Sequence, residues 1–75
     1  AFDLVVANIT ADVIAELAPA IVGALRPGAT ALCSGIIAEG FPHAVEALLA
    51  AGARLVDALS DGDWRAVVVE RPSRP

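Results

Sequence analysis

The sequence contains no Lys and only five Arg, against nine acidic residues, for a formal net charge of −4. A chain of that balance repels a phosphate backbone, so direct binding of nucleic acid is not expected. One cysteine, Cys33, excludes an internal disulfide. Because it sits in an apolar run, a reducing, cytoplasmic setting is the simplest reading. No apolar run approaches the roughly 20 residues that a membrane-crossing helix needs, and no signal-peptide pattern is visible. Metal-ligand spacing is also lacking. His43 has no second His or carboxylate partner in register, and Asp61 with Asp63 lacks the ligand series of a calcium loop, so no metal is expected.

What the sequence has in excess is apolar residues, 57% of 75. Ordinary domains use about 45–50%. A chain this short buries only roughly 60% of its extended surface, so the excess points to part of a larger α/β core with strands covered on both faces. The sequence opens on Ala1 with no Met, and is read here as the carboxyl-terminal half of something larger.

Phe2 to Ala7 is a continuous apolar run, predicted to be a buried parallel strand that ends at Asn8. In open parallel sheets ligands bind beyond the carboxyl ends of the strands, which makes Asn8 the first candidate site residue. Thr10 is placed to cap a helix. Val13, Ile14, Leu17, Ala18, Ile21, Val22 and Leu25 then recur at helical spacing. Pro19 within that stripe would remove a hydrogen bond and cost about 3 kcal/mol, so the expectation is a short turn near residues 11–17 and a main helix from about Pro19, stopped by Arg26-Pro27-Gly28. A second strand is expected over Thr30 to Ser34, with an exit at Ser34 and Gly35 on the same rim as Asn8. A helix follows after Gly40, with Pro42 in its first turn and Gly52 at its end. Strands at Arg54 to Ala58 and Trp64 to Glu70, joined through Ser60-Asp61-Gly62-Asp63, are predicted to form a hairpin. The domain is expected over residues 1–71 with a tail over residues 72–75, and Arg71 to Pro75 is expected to fray.

That order, ending in an antiparallel hairpin rather than a further crossover, together with Phe2-Asp3-Leu4-Val5-Val6-Ala7-Asn8-Ile9, Leu17-Ala18-Pro19, Leu25-Arg26-Pro27-Gly28, Ser34-Gly35-Ile36 and Gly62-Asp63-Trp64, resembles the carboxyl-terminal half of a class I S-adenosylmethionine-dependent methyltransferase. The likeness is greatest to the family that modifies protein eleven of the large ribosomal subunit. Two positions depart from that family's usual pattern: Thr10 stands where Leu is common, and Ala29 where Gly is.

The resemblance implies a Rossmann-like α/β fold of parallel strands flanked by helices, and methyl transfer from S-adenosylmethionine to an amine of a ribosomal protein. It implies Asn8 as the catalytic residue, Asn8 and Ile9 beside the cofactor, and Ser34 and Gly35 in the substrate pocket. The glycine-rich loop and acidic ribose ligand of such enzymes are not in this sequence, so the cofactor site is incomplete. The expected partners are the missing amino-terminal half of the catalytic domain and the ribosomal protein substrate, with no nucleic acid and no membrane. Inactivity and self-association through an exposed sheet edge are expected of the chain alone. Two other readings stand beside this one. Asn8 could merely turn the chain, leaving a non-catalytic α/β interaction module. A nucleic-acid methyltransferase is disfavoured, because Ile9 and Thr10 follow the Asn where such enzymes carry a stacking aromatic. Cys33 reads as a small core residue and Trp64 as a packing anchor of the hairpin.

Overall fold

The computed structural model describes residues 2–73. Strand β1 (Phe2–Asn8) is followed by helix α1 (Ala11–Ala24), strand β2 (Leu25–Ile37), a 3-10 turn at Ala38–Gly40, helix α2 (Phe41–Ala50), and strands β3 (Arg54–Asp61) and β4 (Trp64–Glu70). The four strands form one sheet in the order β1-β2-β4-β3. β1 and β2 are parallel, whereas β4 runs antiparallel to both of its neighbours. The hairpin expected at the end is present, and its returning strand enters between β2 and β3. Gly62, with φ +58, sits at the two-residue connection, where a tight hairpin needs positive φ.

Both helices pack on the same face of the sheet. Strand alternation sends Ala31 and Cys33 of β2 and Val67 and Val69 of β4 into that face, where they meet Ile14, Ala18 and Val22 of α1 and Ala44 and Leu48 of α2. On the opposite face Leu4 and Val6 are 60% and 63% exposed, and Leu59 is exposed as well. β1 is therefore covered on one side only, where Val5 and Ala7 are half-buried, and not on both as its apolar run predicts. Among the described residues nothing covers the second face.

The helix expected to break at Pro19 does not break: α1 is continuous, with Pro19 inside it. Pro19 lies on the exposed side, where water can satisfy the carbonyl it leaves unbonded. The stripe of Ile14, Ala18, Ile21 and Val22 continues through it. Burying Ile21 and Val22 is worth about 1.5–3 kcal/mol each, which offsets the proline penalty. Thr10 caps α1 as expected, its Oγ1 accepting the Val13 N–H at 3.4 Å. The helix ends at Ala24, before Arg26, because β2 begins earlier than predicted: Leu25 is fully buried and already in the sheet.

Arg71 is not frayed. Its N–H donates to the Ala29 carbonyl at 2.9 Å, and its guanidinium donates to the Leu25 carbonyl at 2.7 Å beside the end of α1. That placement puts a cation at the negative end of the helix dipole. Of the tail expected at residues 72–75, residues 74 and 75 lie outside the described residues.

Candidate functional site

Because β1 and β2 are parallel, their carboxyl ends share one rim, and the register sets Asn8 opposite Ser34. The two ends are tied together: the Ile9 N–H donates to the Ser34 carbonyl at 3.2 Å, and the Ser34 hydroxyl donates to the Ala7 carbonyl at 3.5 Å. The predicted exit at Gly35 is a bulge rather than an exit. Pairing of β2 with β4 is interrupted between Cys33 and Ile36 and resumes at Ile36 and Ile37. Gly35 occupies the break with φ +78, a conformation that L side chains rarely adopt. The strand then continues to a pairing of Ile37 with Trp64.

An open cleft of about 340 Å³ results, lined by Asn8, Ser34, Gly35 and Trp64. Three of the predicted site residues therefore meet in one place. Asn8 is exposed, and among the described residues no hydrogen bond holds its side-chain amide. Thr10, not Asn8, caps α1. Ile9 lies behind the cleft, packed against the core with its N–H engaged by Ser34.

Trp64 is the residue that sequence reasoning assigns wrongly. It is 55% exposed and forms a wall of the cleft instead of anchoring the hairpin. Only the strand order discloses this: with β4 beside β2, the first residue after the hairpin turn lands next to the end of β1. Asp12 lines one hollow beside Trp64, and Asp61 with Arg65 lines another, so the rim carries charges of both signs. Arg65 extends its guanidinium to the Gly62 and Trp64 carbonyls.

A larger hollow of about 570 Å³ opens at the other end of the sheet, between Pro19, Gly23, Gly52 and Arg71. Its one charged side chain, Arg71, is already committed to helix and strand carbonyls. The smaller cleft, with a free amide and an aromatic face, is the one equipped for chemistry.

Cys33 is fully buried one residue from the cleft, and burial pushes its thiol up. An unfolded thiol titrates near 8.5. The folded chain thus holds that proton to higher pH than the unfolded chain does. Stability from this source is complete below that pH and shrinks as the pH rises beyond it. The urea midpoint should fall above about pH 8.5, and Cys33→Ala should flatten that fall. A thiol reagent should label Cys33 only once denaturant is added. Rapid labelling of the native chain would contradict the buried placement.

A family model described as "Ribosomal protein L11 methyltransferase (PrmA)" matches residues 1–72. A curated relative from Pelotomaculum thermopropionicum, named ribosomal protein L11 methyltransferase, is 51% identical over 65 residues, covering 87% of this chain and 21% of the relative. Its counterpart from Thermus thermophilus is 43% identical over 63 residues, covering 84% of this chain and 25% of that protein. The crystal structure of a ribosomal protein L11 methylase from Lactobacillus delbrueckii subsp. bulgaricus superposes with a TM-score of 0.87 at 28% identity, over 95% of this chain and 37% of the other. The chain thus spans about a fifth to a quarter of the length of these two curated relatives.

Proposed function

The chain belongs to the ribosomal protein L11 methyltransferase family, and from that premise we propose that it forms the acceptor side of a methyl-transfer site, completed by the remainder of a catalytic domain. The observation that carries the reading is the unengaged Asn8 amide at a parallel strand end, facing the Trp64 wall of the cleft.

Methyl transfer to an amine is an in-line displacement, so the protein's work is orientation, exclusion of water and supply of a neutral nucleophile. S-adenosylmethionine supplies the methyl group, activated on a sulfonium. The residues present fit only one end of that cofactor. Asn8 stands where its methyl-bearing end would lie, with Ile9 packed behind it, while no carboxylate in the cleft itself suits a ribose. Asn8 Oδ1 accepts an N–H of the acceptor amine and so aims the nitrogen lone pair, but it cannot carry the proton away. The acceptor must arrive already neutral. For a Lys this requires about 4–5 kcal/mol at pH 7, and for an α-amine about 1. Ser34 and Gly35 floor the acceptor pocket, and Trp64 shields it. The net charge of −4 favours a basic segment such as a ribosomal protein presents.

The partner reading follows from the sheet. β1 has one strand neighbour, β2. Its outward row of N–H and C=O groups fits a further strand from the rest of the catalytic domain, whose helices would cover Leu4 and Val6. By this reading the protein works in the cytoplasm.

The test is a graft of this chain in place of the matching segment of the Pelotomaculum relative. The graft should bind S-adenosylmethionine by calorimetry and methylate ribosomal protein L11, whereas the chain alone should do neither. A folded graft that binds the ribosomal protein but no cofactor would make the chain a non-catalytic module. Val6→Lys should leave the isolated chain's circular dichroism unchanged, because the side chain is solvated there. In the graft it should cut soluble yield several-fold by placing an unpaired charge under the covering layer. Equal yields would remove the claim that this face is covered.

A further inference from the structure

The bulge residue Gly35 stands against Asn8. A Cβ built on Gly35 would overlap Asn8 Oδ1 and lie 3.4 Å from its Cγ. Three features converge there: the register that sets Asn8 beside Ser34, the interruption of β2–β4 pairing after Cys33, and the positive φ of Gly35. Together they turn a position without a side chain toward the one carboxamide in the chain, which has a single Asn and no Gln.

We propose that Gly35 is a positioning residue: its missing side chain is the space in which the Asn8 amide rests, and so sets the direction of Oδ1 into the cleft. This deepens the methyl-transfer reading and rests on it for its catalytic consequence, but the packing claim stands separately. An L residue at 35 would force Asn8 onto another rotamer, because on the other side of the contact is strand backbone that Ile9 and Ser34 hold in place. A shift of about 1 Å in a group that aligns reactants is worth on the order of 10²-fold in rate.

Positive φ alone also penalises Ala, and Gly52 provides the control. It has φ +103, and a Cβ there would meet nothing within 4 Å. In the graft, Gly35→Ala should lower kcat by about 10²-fold with KM for the ribosomal protein within about twofold. Gly52→Ala should leave kcat as it was. In an Asn8→Ala background, Gly35→Ala should add no further loss, since the side chain it displaces is gone. Multiplying losses, or an unchanged kcat in Gly35→Ala, would overturn the proposal. Should Gly35→Ala fail to fold, Asn8→Ala must restore folding to the level of Gly52→Ala, and failure to do so would overturn it equally.

If Asn8→Ala itself leaves kcat intact, the methyl-transfer role of Asn8 is lost, and the packing claim is read by NMR on the 75-residue chain. Its single carboxamide NH₂ pair should shift in Gly35→Ala and stay in place in Gly52→Ala. An unmoved pair in both variants would sink the packing claim too.

Discussion

Asn8→Ala in the grafted enzyme should lower kcat for methyl transfer by about 10²-fold while changing KM for S-adenosylmethionine little. The magnitude follows from orientation, because removing one group that aligns a nucleophile forfeits a near-attack geometry without removing the activated methyl group. The split between kcat and KM follows from the fit, since this chain reaches only one end of the cofactor. Asn8→Asp is the sharper companion. It keeps the shape and an acceptor oxygen but adds a charge, so it should retain more activity than Ala while favouring the protonated, non-nucleophilic form of the amine. Its pH profile should therefore move to higher pH. Single-turnover measurements across pH would check both. A kcat within threefold of the parent for Asn8→Ala would remove Asn8 from the chemistry.

The second large effect concerns the fold. Leu48 of α2 is fully buried, as is Ile14 of α1, and both helices rest on the same sheet face. Leu48→Ala removes the transfer free energy of the lost atoms and leaves a cavity that rigid neighbours cannot fill, a loss of about 2–5 kcal/mol. A chain of this length has roughly 4–11 kcal/mol in total on average per-residue figures. One substitution therefore takes a large share of it. Fluorescence of the single Trp64 across a urea titration should report a midpoint at least about 0.7 M lower, given slopes of about 1–3 kcal/mol/M. Leu49→Ala, one residue on and 44% exposed, should move the midpoint by less than a third as much. Equal shifts would show that α2 does not pack as described.

How much of this was legible before the structure depends on the kind of information each feature needs. Elements were readable wherever local chemistry decided them: Thr10 as cap, Pro42 in the first turn of α2, and the turn at Gly62 all came from side-chain and φ preferences that act within a few residues. Pro19 misled because its penalty is local, whereas the burial that outweighs it is tertiary. The one-sided burial of β1 misled for a related reason, since an apolar run declares what a strand could bury and not what is there to cover it. Asn8, Ser34 and Gly35 were accessible as site candidates because parallel neighbours run toward the same rim, although β2 continues past Gly35 to Ile37. Trp64 was not, because its place at the cleft depends on β4 entering between β2 and β3. Nothing in the spacing of Trp64 to Glu70 encodes which neighbour that strand will choose.

That insertion has a consequence for biosynthesis. Until β4 has left the ribosome, β2 and β3 have no ladder between them, and the nascent polypeptide carries the β1–β2 pair and an unpaired β3 with an apolar seam open to collision. The β2–β4 pairs, such as Leu32 with Val68, span residues far apart in sequence and so form late, whereas β3 and β4 close as a local hairpin. A stalled nascent chain ending at Asp63 should thus be protease-sensitive throughout β3, and one displaying Glu70 clear of the exit tunnel should be protected.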